Sequence, residues 1–165
     1  MNDGLPDVDP DDGRNESVSQ RSDRNWDEIL QELRVTQTGT QIITGFLLTI
    51  AFQQRFTELG SFLTGIYLAL VVLAAICTGL GLVPVALHRA LFRRHEKAKA
   101  VTIADRFVKA AVALVAVLAG GVVLFIFSFV GGTVAGIVAG VAVWIALAVL
   151  LLLVPLGSRD RAEHR

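Results

Sequence analysis

The sequence predicts an all-α integral membrane protein, an up-down four-helix bundle preceded by a short amphipathic helix and a disordered acidic tail. Three observations predict this fold. Of 165 residues, 53% are hydrophobic and 18% are charged, with a mean hydropathy of +0.60, whereas soluble domains carry about 25% charged residues. Long segments contain almost no charge. The basic residues are also unevenly distributed among the segments that connect these uncharged segments.

Residues 1–24 form the predicted tail, because they contain seven acidic residues and almost no large apolar ones, a composition typical of disorder. A short amphipathic helix is predicted to begin at Asn25, which would cap it, with Glu28 completing a capping box three residues later. Its apolar face, at helical spacing, consists of Trp26, Ile29, Leu30 and Leu33.

Four segments are predicted to cross the membrane, namely residues 35–52, 62–87, 107–130 and 133–156. The last three contain no Asp, Glu or His, and each exceeds the roughly 20 residues that a helix needs to cross a hydrocarbon core. The first is shorter, and its first half is polar. Only Gly131 and Gly132 separate the last two segments, which predicts a tight antiparallel hairpin within a four-helix bundle.

The basic residues predict the orientation of these segments. Four precede the first segment, seven lie from His88 to Lys109 at the start of the third, and three follow residue 156, whereas Arg55 alone lies between the first and second. Fourteen on one side against one on the other is a positive-inside pattern. Both termini, including the tail at residues 157–165, are therefore predicted to be cytoplasmic, in a multi-pass protein of the cell membrane.

No catalytic, metal or cofactor site is predicted. The single cysteine, Cys77, excludes an internal disulfide and a cysteine zinc cluster. All three histidines lie outside the predicted spans, where they are unsuited to ligate a haem within the bundle. Proton-coupled export needs a carboxylate within the membrane, but Glu58 and Asp105 lie in predicted loops. The chain is therefore expected not to be an enzyme and not to bind nucleic acid.

A stripe of glycines on the fourth helix is a candidate packing face. Gly132, Gly136 and Gly140 fall at i, i+4 and i+8, a spacing that lets another helix approach closely. The third helix has a matching face of small residues at Ala113, Ala116 and Gly120. Packing within this hairpin is the favoured interpretation, and a homodimer face is the alternative.

Polar residues form a second stripe on the first predicted span, at Gln37, Gln41 and Thr44. Polar groups within a membrane face the protein interior or water, where they are hydrogen-bonded. Hydrogen bonding between helices is favoured, because no ionisable residue joins the stripe. The alternative is the lining of a polar path.

A candidate cytoplasmic docking face combines the acidic start of the amphipathic helix with the basic middle loop. Its residues are Trp26, Glu28, Glu32, Arg34, Arg89, Arg93 and Arg94. Opposite charges there are expected to attract, although each exposed pair contributes only about 0–1 kcal/mol. Anionic lipid head groups are expected to compete for the arginines. The alternative is an undocked helix and a loop that only sets the orientation.

The first half of the chain also carries a recognisable set of residues. These are the run from Asn25 to Val35 (NWDEILQELRV), Gln37-Thr38-Gly39, Gln41-Ile42, Gly45-Phe46-Leu47-Leu48 and Gln54-Arg55-Phe56, with Pro84, His88-Arg89 and Phe92-Arg93 downstream. Over about residues 25–156 the chain resembles a family of small actinobacterial membrane proteins catalogued only as a domain of unknown function. The resemblance implies four spans and a high-GC bacterial source, and it implies no activity, substrate or cofactor.

The sequence therefore favours a non-enzymatic structural, interaction or regulatory subunit of the cell membrane that acts through its cytoplasmic face. Its expected partners are the lipid bilayer, anionic head groups at the basic loop, and a second copy or another membrane protein. The alternative function is a small transporter or channel component, with a polar path along the first transmembrane helix.

Overall fold

The computed structural model describes residues 17–91 and 97–162. This part of the chain forms four α helices and no β strand: α1 (Val18–Ala51), α2 (Ser61–Leu91), α3 (Lys97–Gly131) and α4 (Thr133–Ala162). A short 3₁₀ helix, Gln54–Glu58, lies between α1 and α2. The all-α prediction is confirmed for these residues.

Helix α1 begins seven residues before the predicted start. Ser17 and Gln20 form its capping box: the Ser17 amide donates to Gln20 Oε1 at 2.8 Å, and the Gln20 amide donates to Ser17 Oγ at 3.4 Å. Asn25 therefore lies inside the helix and does not cap it. The tail prediction is wrong for residues 18–24, because this earlier capping box starts the helix before them, and residues 1–16 lie outside the described part of the chain.

The C-terminal end of α1 tightens into the 3₁₀ helix. The amides of Phe52 and Gln53 bond to carbonyls three residues earlier, at 3.2 and 3.1 Å, as is common where an α helix ends. After the 3₁₀ helix, the Leu59 amide bonds to the Phe56 carbonyl at 3.2 Å. The chain between α1 and α2 is therefore a short ordered turn.

The other helices extend beyond the predicted spans. Helix α2 continues through the buried Pro84 to Leu91. Helix α4 continues to Ala162, so residues 157–162 of the predicted C-terminal tail are helical. Helix α3 begins at Lys97, ten residues before the predicted span. Its first turns are rich in Lys and Ala, which are good helix formers.

Three helical segments are long and apolar enough to cross a membrane. They are Ser61–Pro84, Thr102–Gly131 and Thr133–Leu153, and they coincide with the second, third and fourth predicted spans. The first predicted span, residues 35–52, is not among these candidates in the described part of the chain. It remains a prediction.

The helices contribute to two compact units. Among the described residues, the first contains residues 17–39, 77–91 and 97–112, and the second contains residues 40–76 and 113–162. The core of the first unit joins the beginning of α1 to the beginning of α3. In the second unit, buried residues of α1, α2 and α3 include Leu47, Tyr67 and Phe125, and α4 packs on α3.

Candidate functional site

In the first unit, the apolar face of α1 packs against α3. The cluster contains Ile29 and Leu33 from α1 with Ala104 and Val108 from α3, all of them buried. Trp26 and Val112 are partly buried and pack against this cluster. On both helices the residues recur every three or four positions, the spacing of one helix face. The predicted amphipathic helix therefore has a partner within the chain, and that partner is α3.

The structure describes the charged residues of the candidate docking face only in part. Glu28 accepts a hydrogen bond from Arg24, one turn earlier in the same helix, at 2.9 Å. Glu32 and Arg34 are exposed on α1. Arg93 and Arg94 lie outside the described residues, as does the side-chain environment of Arg89. Docking of α1 on the basic loop therefore stays a prediction.

The polar stripe of α1 is divided between the two units. Gln37, in the first unit, packs on α2 where Gly81 leaves room: a Cβ atom at residue 81 would lie 3.0 Å from Gln37 Cγ and Cδ. In the second unit, Thr44 donates to the Thr40 carbonyl of its own helix at 2.7 Å. Gln41 is exposed. The stripe thus has three different environments along one helix.

The glycine stripe lies at the contact between α4 and α3 within the chain. A Cβ atom at Gly136 would lie 2.6 Å from the Leu124 carbonyl oxygen and would meet the Ser128 hydroxyl. A Cβ atom at Gly140 would lie 2.7 Å from Leu124 Cβ. Gly132 is different, because it has a φ of +88° and a Cβ atom there would meet nothing within 4 Å. It forms the turn of the hairpin, which glycine makes without strain.

The contacts of this hairpin are symmetric about Gly132. Ser128 meets Gly136, Leu124 meets Gly140, and Gly120 meets the Trp144 indole. These pairs are four, eight and twelve residues on either side of Gly132, so α3 and α4 are antiparallel neighbours. The Trp144 indole nitrogen also donates to the Val117 carbonyl at 3.1 Å. Because α3 covers Gly136 and Gly140, these two residues are not exposed for a second copy.

A cluster of aromatic residues joins α1, α2 and α3 in the second unit. The Tyr67 hydroxyl donates to the Leu47 carbonyl at 3.0 Å, and both residues are buried. The Phe56 ring meets Tyr67 edge-on at 4.9 Å between centroids, and Phe125 lies 5.9 Å from Tyr67. Edge-to-face pairs at such distances are favourable. This cluster fixes the 3₁₀ helix against α2.

Beside this cluster is an apolar pocket of about 170 Å³. Its walls come from the end of α1, the segment around the 3₁₀ helix, and α3. At its rim, the guanidinium carbon of Arg55 lies 5.2 Å from the centre of the Phe129 ring, and Arg55 Nε lies 3.5 Å from Glu58 Oε2. The pocket therefore combines an apolar interior with one basic group at its edge.

The sequence does not predict this pocket. In the sequence analysis, Arg55 is only the one basic residue between the first two predicted spans. Phe125 and Phe129 are one helical turn apart on α3, a spacing that places two rings on one face. That spacing is the available signal, but nothing in the sequence indicates that Phe56 approaches the same face.

The comparisons with known proteins identify a family. A model described as "Family of unknown function (DUF6328)" matches residues 15–155, from before α1 to within α4. The chain belongs to this family. Membership confirms the predicted domain of unknown function, whereas the actinobacterial source and the four spans of the DUF6328 chain stay predictions. No curated protein and no solved structure matches it.

The described residues of this DUF6328 protein offer no evident metal centre. Within residues 17–91 and 97–162, no three His, Cys, Asp or Glu side chains are grouped so that they could hold a metal ion. Cys77 is buried and is not in a disulfide. The features best suited to a function are therefore the packed start of α1 and α3, and the pocket beside Arg55.

Proposed function

We propose that this DUF6328 protein is a non-enzymatic integral protein of the cell membrane that acts as an interaction or regulatory subunit. In this proposal it crosses the bilayer four times, with residues 35–52 as the first span and both termini in the cytoplasm. The candidate partners are another membrane protein, a second copy of the chain, and anionic lipid head groups at the basic loop.

The observation that carries the membrane assignment is the exposure of large apolar side chains along α2, α3 and α4. On α4 alone, Val134 and Val138 are 77% and 65% exposed, and Ile145 and Leu152 are also exposed. Soluble monomers rarely expose a contiguous apolar patch above a few hundred Å². Lipid acyl chains are as apolar as these side chains, so contact with hydrocarbon removes the free-energy penalty that water would impose on this surface.

The interaction role is supported by the packed start of α1. The segment before residue 35 is held on α3 by Ile29 and Leu33, while its exposed face carries charges, including Glu32 and Arg34. A helix that is fixed on one side and charged on the other presents a preorganised surface, which lowers the entropic cost of binding a partner. By the proposed orientation this surface is cytoplasmic.

Reporter fusions test the orientation. A reporter joined after Arg165 is expected to be active only in the cytoplasm, and one inserted at Gly60 only outside. Cytoplasmic activity at Gly60 with external activity after Arg165 would refute the proposed orientation, and activity of both reporters on the same side would contradict three spans between them. Release of the protein by an alkaline wash would refute membrane insertion.

Photocrosslinking in native membranes tests the interaction role. A photoreactive residue at Glu32 is expected to give a discrete protein adduct, whereas the same residue at Val138, on the apolar face of α4, is expected to give lipid adducts only. If Glu32 yields no protein adduct, the proposed role of the α1 surface is wrong.

The alternative function, a transporter or channel component, has less support. A polar path needs side chains whose polar groups are offered to a substrate, but the Thr44 hydroxyl bonds to its own helix and Gln37 packs on Gly81. Aqueous labelling of a cysteine placed at Gln41 or Thr44, in a Cys77→Ala background, would favour this alternative. Protection at both positions is expected.

A further inference from the structure

The pocket beside Arg55 has the size and the surface of a site for hydrocarbon. Its volume is about 170 Å³, below the roughly 300–1,000 Å³ of most small-molecule sites, but close to that of an apolar cavity of about 150 Å³ that accepts benzene. Its lining is apolar except for Gln53 and Arg55, and it includes Phe46, Phe56, Leu59 and Phe129. Because the lining is mostly apolar, the interior suits a short segment of an alkyl chain.

Arg55 supplies the polar end of the site. Its side chain is 74% exposed, and its Nε lies 3.5 Å from Glu58, while the guanidinium lies over the Phe129 ring. The Glu58 contact engages Nε and leaves the two terminal nitrogens for another acceptor. A guanidinium group fits the oxygens of a phosphate in a bidentate manner. Arg55 is also the one basic residue between α1 and α2.

Exposed aromatic residues flank the same turn. Phe52 and Phe62 lie on either side of the 3₁₀ helix, and both rings are largely exposed to the surroundings. Large apolar side chains beside a charged, polar turn suit the boundary between hydrocarbon and head groups, with the arginine reaching toward water. In that setting, a lipid phosphate and the pocket entrance lie at the same depth.

We propose that this pocket binds the part of one acyl chain nearest the head group of an anionic phospholipid, with the phosphate of the same lipid held by Arg55. This inference rests on the proposed membrane insertion. By the proposed orientation, the lipid belongs to the outer leaflet. The site is distinct from the predicted lipid contacts of the cytoplasmic basic loop, because all its residues lie in residues 46–59 and 125–129.

Native mass spectrometry of the full chain tests the proposal. The protein is reconstituted in nanodiscs with equal amounts of phosphatidylglycerol and phosphatidylcholine of the same chain length, and the lipid that stays bound after release is counted. The wild type is expected to retain one phosphatidylglycerol. Arg55→Gln is expected to lower the preference for phosphatidylglycerol about fivefold, the contribution of one basic side chain at an anionic lipid surface.

A second variant tests the pocket itself. Leu59→Trp is expected to fill part of the cavity and to abolish retention of either lipid. The matched controls are Arg106→Gln, an exposed basic residue of the first unit, and Leu68→Trp, an exposed leucine of α2. Both controls are expected to retain lipid as the wild type does.

The proposal requires both effects. It is overturned if Arg55→Gln keeps the head-group preference, if Leu59→Trp keeps the lipid, or if the inserted wild type retains no lipid. Failure of membrane insertion itself is detected separately by the alkaline wash, which would refute the proposed function instead. Circular dichroism of each variant verifies that it is folded before lipid is counted.

Discussion

Gly136→Ala is expected to destabilise the α3–α4 hairpin, although alanine is the better helix former. The new Cβ atom would lie 2.6 Å from the Leu124 carbonyl oxygen and 2.7 Å from the Ser128 amide nitrogen. Both are backbone atoms, so relief requires the two helices to separate. Gly132 allows little rearrangement there, because it already makes the tight turn with a φ of +88°.

The magnitude follows from two opposing effects. Overpacking costs about 1–3 kcal/mol, while replacing glycine by alanine within a helix gains about 1 kcal/mol. The matched control is Gly79→Ala in α2, where a Cβ atom has nothing within 4 Å and only the gain applies. The free energy of unfolding is therefore expected to be about 1–3 kcal/mol lower for Gly136→Ala than for Gly79→Ala.

Unfolding in mixed micelles, followed by circular dichroism, measures this difference. Ser128→Ala provides a further test, because the Ser128 hydroxyl is buried without a hydrogen-bond partner. Its removal alone is expected to be neutral or stabilising, and it is expected to rescue Gly136→Ala only in part, since the backbone contacts remain. Equal stability of Gly136→Ala and Gly79→Ala would refute the close approach of α3 and α4.

Three further predictions concern α1 and its contacts. Leu33→Ala removes a buried side chain and is expected to lower the free energy of unfolding by about 2–5 kcal/mol, measured as faster hydrogen exchange at the start of α1. The control, Val35→Ala at an exposed residue, should have little effect. Equal effects of the two substitutions would contradict the α1–α3 contact. Tyr67→Phe loses the bond to Leu47 and should lower the free energy of unfolding by about 0.5–1.5 kcal/mol; no change would mean that the hydroxyl bond is not made. Ser17→Ala should lower the stability of α1 by about 1 kcal/mol, with faster hydrogen exchange confined to its first turn. Unchanged exchange in that turn would mean that Ser17 does not cap the helix.

The helical class and the apolar segments of α2, α3 and α4 can be predicted from the sequence. Such segments are recognisable because length and composition alone distinguish a run that can cross hydrocarbon. The turn at Gly132 can also be predicted from the sequence, because only two adjacent glycines connect the two apolar segments. The predicted start of α1 is wrong. Asn25 and Glu28 match the capping-box pattern as well as Ser17 and Gln20 do, and the local pattern alone does not decide which pair begins the helix.

Which residues meet depends on the tertiary structure. Leu33 and Val108 belong to one buried cluster, and Phe56 lines a pocket together with Phe129; both groupings join segments far apart in the chain. Periodicity shows which face of a helix is apolar but not which helix will cover it, because many partners bury a similar apolar area. The pocket at Arg55 forms only where the end of α1, the segment around the 3₁₀ helix and α3 meet, so it follows from the packing of the helices and not from the pattern of any one of them.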